Sequence, residues 1–290
     1  MRVVSIIDQG QARLGVLRGE QVVDLGAVAA EHDLDLLSIL QGKRGGLSGL
    51  QELAATAPPS AFRALNSVHL GPPIPNPGKI ICLGLNYAAH AAEGGHEKPA
   101  YPAIFLRSAS SLVGHEAPIV RPICSVQLDY EAELVAVIGR TARHVTAANA
   151  LDFVAGYSCF NDATVRDYQR KTAQWTIGKN FDGTGAFGPA FVSADEVPLG
   201  ATGLRIQTRL NGRVMQDANT RDMLFPVAET ITLLSECMTL EPGDVVVMGT
   251  PSGVGHARTP PIWMEPGDIV EVEIEQIGLL RNPIVEERYV

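Results

Sequence analysis

Residues Leu128 to Arg140 read LDYEAELVAVIGR. Two acids, Glu131 and Glu133, stand one residue apart and run straight into an apolar strand. Strand side chains alternate faces, so both carboxylates point one way while Tyr130, Ala132 and Leu134 take the other face. Like charges on a largely apolar strand repel each other and resist burial. A divalent cation between them resolves that conflict, because hard cations bind carboxylate oxygen. The competing reading is a solvated strand edge with glutamate as gatekeeper. DIVEVEI at Asp268 to Ile274 is an example within this chain: it alternates cleanly and sets Glu271, Glu273 and Glu275 on a solvated face. Spacing alone does not separate the two readings.

The company of the pair does. Val154 to Phe160 (VAGYSCF) reads as a strand that ends in Asn161-Asp162, so Asp162 is the natural third ligand. ATVRDYQRK follows with helical spacing and offers Arg166, Asp167 and Gln169 near the same strand end. Lys179 sits in the turn-rich TIGKNFDG. Upstream, the buried strand KIICL (Lys79 to Leu83) leads into GLNYAAHAAEGG, where Asn86 is expected to cap a short helix and Gly94-Gly95 to end it. His90 and Glu93 are three apart on that helix and share a face. With the polar loop from Gly95 to Pro102 behind it, this has the form of a movable lid. An ordinary surface His–Glu pair is the alternative.

Glu131, Glu133 and Asp162 offer oxygen only, which favours Mg²⁺ or Mn²⁺, with Ca²⁺ as a third option, over zinc. Three protein ligands leave about three octahedral positions, and a 2-oxo acid fills two of them through its carboxylate and keto oxygens. The metal would stabilise the enolate formed when a neighbouring C–C bond breaks. His90, oriented and charged by Glu93, would deprotonate a water. Lys179 would neutralise enolate charge, and Gln169 would donate to the second oxyanion.

The 290 residues, 46% hydrophobic and 19% charged, suit one large domain or one plus a small one. A net charge of −9 argues against nucleic acid or an anionic membrane surface as partner. No apolar run reaches the roughly 20 residues of a spanning helix. The N-terminus lacks a basic-then-apolar signal, and Cys82, Cys124, Cys159 and Cys237 form no CxxC pair. Both features fit a reduced, cytoplasmic protein.

Short apolar runs broken by 29 glycines and 19 prolines indicate an α+β, mostly β fold. Residues 1–28 read as a meander of hairpins, Asp33–Leu40 and Ser48–Ala57 as helices capped by Asp33 and Ser48, and Ala147–Phe153 as a further helix. The stiff GPPIPNPG (Gly71 to Gly78) divides a small N-terminal β-rich domain, 1–71, from a catalytic domain, 72–290. Asn211-Gly212 marks a hairpin and Ala228–Cys237 a helix. GTGAFG at 183–188 matches GxGxxG, but Pro189 and a β-like run follow it where a dinucleotide loop would open a helix. No organic cofactor is called for. GTPSGVG at 249–255 lacks the GK[ST] ending of a phosphate loop yet can present backbone N–H groups to a carboxylate. No GxSxG elbow is present.

Taken together, GLNYAAHAAE, LDYEAELVAVIGR, GYSCFNDATVRDYQ, GKNFDGTGAFGP, NGRVMQDANTRDMLF and GTPSGVG resemble the fumarylacetoacetate hydrolase family in order and number. The resemblance spans nearly all of 72–290. It implies a mixed β-sandwich roll around a divalent metal, and homodimers. It also implies cleavage of C–C bonds in acylpyruvates and related 1,3-diketo acids, decarboxylation of oxaloacetate, or isomerisation or decarboxylation of hydroxymuconate-type diacids. On this resemblance Glu131, Glu133 and Asp162 hold the metal, and His90 and Glu93 form the lid dyad. Gln169 is the oxyanion-side glutamine and Lys179 the active-site lysine. Thr250 lies on the substrate-carboxylate loop, Arg166 is a weaker match as a structural or substrate contact, and Asn86 and Tyr87 are further expected substrate contacts. Arg107 stands where lysine is frequent, and KNFDGTGAFGP, preceded by Gln174-Trp175, replaces a run of the KSFDTFCPLGP kind. These departures lie beside the pocket and bear on substrate identity.

Overall fold

A computed structural model describes residues 1–28, 34–93 and 100–288. Its large sheet has 12 strands. In spatial order they are Phe62–Ala64 (β4), Gln21–Asp24 (β3), Gln11–Arg18 (β2), Arg2–Asp8 (β1), Gly185–Ser193 (β14), Val154–Asp162 (β12), Ala132–Ile138 (β11), Val245–Val247 (β17), Ile80–Gly84 (β6) and Ala103–Arg107 (β7). His69–Gly71 (β5) is added on β1 and Leu112–Val113 (β8) on β14. A five-stranded sheet orders Arg213–Asn219 (β16), Arg205–Leu210 (β15), Ile269–Ile274 (β18), Gly278–Glu286 (β19) and Ile119–Arg121 (β9). Leu128–Asp129 (β10) pairs with Thr164–Val165 (β13). The helices are short: Leu36–Leu40 (α1), Gly46–Ala55 (α2), Ala88–Glu93 (α3), Arg166–Gln169 (α4), Thr176–Lys179 (α5) and Val227–Cys237 (α6). The fold is α+β and mostly β. No helix among the described residues is long and apolar enough to cross a membrane.

All seven residues of β11 are buried, which explains its unbroken apolar run. One face, with Ala132, Leu134, Ala136 and Ile138, packs on Ile206, Val270, Val272 and Ile274 of the five-stranded sheet. The other, with Val135 and Val137, joins a second core. That second core also contains Val3, Leu14 and Val16. Strand β1 hydrogen-bonds to β14, so the N-terminal hairpins lengthen the main sheet. The expected division after residue 71 is therefore not a gap in packing.

Several local expectations are corrected. Asp33 lies outside the described residues, and α1 is capped by Asp35, whose carboxylate accepts the Ser38 N–H at 2.7 Å. Ser48 lies inside α2, which begins after Gly45 in the left-handed region. Of Ala147–Phe153, only Ala150–Phe153 is helical, as a 3-10 turn. In ATVRDYQRK, Thr164 and Val165 pair with β10, and only one helical turn remains. β-Branched side chains and an available ladder outweigh the helical spacing. Asn211 and Gly212 both take positive φ, 52° and 78°, as a two-residue hairpin requires. Glu271 and Glu273 are partly exposed on β18 and pair with Arg209 at 2.9 and 2.6 Å.

Asn86 does not cap α3. Its buried amide accepts the Phe225 N–H at 2.7 Å and donates to the carbonyls of Phe225 (3.1 Å) and Met248 (2.6 Å). It thereby ties the strand end after β6 to two distant segments. Asn86→Ala strands those backbone groups and is expected to cost about 2–3 kcal/mol, read as a lower urea midpoint with unchanged slope.

Candidate active site

The antiparallel pairing of β11 with β12 builds the centre. Ala132 sits opposite Asn161 and Glu133 opposite Phe160, so the start of one strand meets the end of the other. The Asp162 N–H donates to the Glu131 carbonyl at 2.9 Å, and the Asn161 side chain accepts the Glu131 N–H at 3.0 Å. One oxygen each from Glu131, Glu133 and Asp162 falls within 4.8 Å of the others, and all three residues are buried.

Three cations surround these acids. Lys179, at the end of α5, bridges Glu131 (2.6 Å) and Asp162. Arg166 donates to Glu131 at 2.5 Å, to Asp129 at 2.8 Å and to Gln169 at 3.0 Å. Arg107 donates to Asp162 at 2.5 Å and to Thr184 at 2.8 Å. Burial pushes the Glu131 carboxyl up, but Lys179 and Arg166 outweigh it and hold Glu131 well below the usual carboxylate range. Burial raises Glu133 and the charges of Asp162 and Glu131 raise it further, so it holds its proton far above the ordinary range. Burial opposes the Lys179 charge, yet Asp162 and Glu131 outweigh it and lift that group above its ordinary value. Glu133 receives a hydrogen bond from the Gly249 N–H at 2.5 Å. The cluster is thus short of positive charge at Glu133. Three converging carboxylates with that deficit fit a hard divalent cation.

Glu131, Glu133, Arg166 and Lys179 line a cavity of about 480 Å³ with His90, Gln169, Thr250, Trp175 and His256. His90 Nδ1 lies 3.4 Å from Glu93 on α3. Burial raises Glu93, but its hydrogen bonds with His90 and the Gly253 N–H bring it below its ordinary value. Residues 94–99, which include the Gly94-Gly95 expected to end α3, lie outside the described residues. Gln169 accepts from Arg166, which leaves its amide N–H groups free to donate. Thr250 Oγ1 accepts from Gln216 at 2.9 Å, leaving its hydroxyl proton for the cavity. Trp175 packs edge-on against Phe105 with centroids 5.8 Å apart. A Cβ at Gly84 would fall 2.1 Å from the indole, so this wall needs glycine there.

Asn86 and Tyr87 stand apart from the cavity lining. Asn86 is committed to backbone, and the buried Tyr87 hydroxyl has no hydrogen-bond partner among the described residues. Arg166 lines the cavity but directs its guanidinium at Asp129, Glu131 and Gln169, so it orients a carboxylate.

Three participants, Asp129, Gln216 and His256, went unread in the sequence as parts of the site. Asp129 is fully buried and accepts from Gly255, His256, Tyr130 and Arg166. Gln216 links Thr250 to the Ala132 N–H, which it accepts at 3.0 Å. Arg107 fixes Asp162, and His256 faces the cavity. The loop from Gly249 to His256 connects the parts: its N–H groups hold Glu133, Glu93 and Asp129.

The model of the fumarylacetoacetate (FAA) hydrolase C-terminal domain matches residues 79–285. A mitochondrial oxaloacetate tautomerase of Bos taurus is 38% identical over 269 residues, covering 92% of this chain and 85% of the relative. The solved maleylpyruvate hydrolase of Sphingobium, in complex with manganese(II) and pyruvate, aligns with a TM-score of 0.82 at 31% identity, over 99% of this chain and 100% of that one. A 2-hydroxyhepta-2,4-diene-1,7-dioate isomerase of Mycobacterium marinum aligns with a TM-score of 0.77 at 33% identity, over 100% of each chain.

Proposed function

The chain belongs to the fumarylacetoacetate hydrolase family, and on that premise we propose a divalent-metal-dependent hydrolase that cleaves a C–C bond in an acylpyruvate-like or other 1,3-dicarbonyl acid. The observation that carries the proposal is one cavity lined by Glu131, Glu133, Lys179 and His90, with Asp162 clustered against the two glutamates and Glu93 bonded to His90. Mg²⁺ or Mn²⁺ held by Glu131, Glu133 and Asp162 would supply Lewis-acid stabilisation of enolate charge. Glu93 orients His90 so that the imidazole takes a proton from water, and the resulting hydroxide adds to the acyl carbonyl. The bond to the carbon between the carbonyls then breaks, leaving an acid and the enolate of a 2-oxo acid. Lys179 places positive charge beside that enolate, and Gln169 and Thr250 donate to the oxygens. The described homologous hydrolase, crystallised with pyruvate, supports a 2-oxo acid product.

The name of the bovine relative favours a second reading, in which the same site serves oxaloacetate by decarboxylation or tautomerisation. Isomerisation of a hydroxymuconate-type diacid belongs with it. A non-catalytic diacid-binding module is the least supported reading, because the complete set of acid, base and lysine would serve no purpose there. We further infer a cytoplasmic homodimer, resting on the reduced-thiol composition and the family. A turnover screen of acylpyruvates, oxaloacetate and hydroxymuconate-type acids with Mg²⁺ or Mn²⁺ is the test. Acylpyruvate loss is expected, and chelator should abolish it. Full activity in chelator would sink the metal-dependent mechanism.

A further inference from the structure

The cavity has a second carboxylate-held imidazole. His256 is the middle residue of the short turn Gly255–Ala257 and lines the same cavity as Glu131, Lys179 and His90. Its Nδ1 lies 3.1 Å from Asp129 Oδ2, and its own backbone N–H reaches the same oxygen at 3.0 Å. Asp129 also accepts from the N–H groups of Tyr130 (2.9 Å) and Gly255 (2.7 Å) and from Arg166 Nε (2.8 Å). Four fixed N–H donors converge on this fully buried side chain, so it can only accept. The proton of the His256–Asp129 bond therefore resides on Nδ1. Nε2 is left with its lone pair, and among the described residues no group bonds to it. A buried carboxylate that fixes ring and tautomer is the arrangement of a working base.

We propose that His256 is the proton-transfer residue for the carbon next to the keto group, distinct from His90, which serves water. The inference rests on the 2-oxo acid reading above. Nε2 takes a proton from that carbon; the C–H pair becomes the C=C bond, and the carbonyl π pair moves to oxygen beside Lys179, giving the enolate. In reverse, Nε2–H protonates the enolate carbon and delivers the keto acid. Hydrolysis leaves an enolate that needs one proton at carbon, which Nε2 first takes from solvent water and then delivers, and keto–enol interconversion needs that same proton moved both ways. One residue thus gives the site a tautomerising step alongside cleavage.

The test is deuterium exchange at C3 of pyruvate, followed by proton NMR in D₂O with Mg²⁺-loaded protein, which involves no C–C cleavage. The wild type is expected to catalyse exchange. His256→Asn keeps an N–H donor for Asp129, lacks Nε2, and should slow exchange by about 10²-fold. Free imidazole should restore part of it in His256→Ala. His90→Ala should retain exchange while losing hydrolysis. The proposal is overturned if the wild type does not exchange, if His256→Asn exchanges normally, if exchange and hydrolysis fall in parallel without imidazole rescue, or if His90→Ala abolishes exchange. Exchange without acylpyruvate turnover would defeat the hydrolase reading alone. Turnover without exchange would defeat this one alone.

Discussion

Glu131→Ala is expected to abolish turnover and to destabilise the protein by about 3–5 kcal/mol. Both effects come from one carboxylate. Its oxygens receive Arg166 and Lys179, each buried, at 2.5 and 2.6 Å. Removing the acid leaves two cations away from water with part of their compensation gone, the costly way to break a buried pair. It also removes one of the three oxygens that converge for a cation. Glu133→Gln should behave differently. Burial and the charges of Asp162 and Glu131 raise the Glu133 carboxyl, and glutamine keeps its shape without bringing a charge. Its stability should stay near wild type, while divalent-ion affinity falls by at least about 10²-fold, since even outer partners of ligands cost 10–100-fold. Urea unfolding and Mn²⁺ titration calorimetry read the two quantities separately. Equal destabilisation by both substitutions would show that Glu133 is ionised in the metal-free protein.

His90→Ala is expected to lower acylpyruvate hydrolysis by about 10²–10⁴-fold, the usual loss of a positioned acid–base group. Among the described residues His90 bonds to Glu93 and to none of the three clustered carboxylates, so Mn²⁺ affinity should not change. The loss should fall on kcat more than on KM, because the imidazole acts on water and not on bound substrate. Oxaloacetate turnover, which needs no attacking water, should survive in part. If hydrolysis persisted within a few-fold, His90 would be an ordinary member of a surface pair, and another group would have to activate water.

The sequence showed much of the centre because its signals are local. LDYEAELVAVIGR carries two acids beside an apolar run, and VAGYSCFND ends its strand in an acid. Antiparallel pairing of two such strands is enough to bring the acids together. What escaped depends on contacts across long separations. Asp129 meets His256 across 127 positions, and Gln216 meets Ala132 across 84. Neither partner carries a periodicity or a motif. Asn86 misled for a related reason: its type suits a helix cap, but burial offered it backbone groups from Phe225 and Met248. The helix in ATVRDYQRK was overread, because a short window with helical spacing yields to a ladder within reach, and Ala147–Phe153 keeps only a 3-10 turn.

Loops usually accept insertions, because little depends on their length. The turn from Gly249 to His256 is an exception with a plain arithmetic. Within eight positions its amides must meet carboxylates from a central strand, helix α3 and the short β10 ladder. One extra residue shifts every donor after it, so an insertion just past Gly249 costs Glu93 and Asp129 their partners together. Substitutions at Glu93, Asp129 and Glu133, far apart along the chain, should consequently be non-additive. In evolutionary terms this turn is a ruler: it can change side chains to suit a new substrate, but it cannot change length.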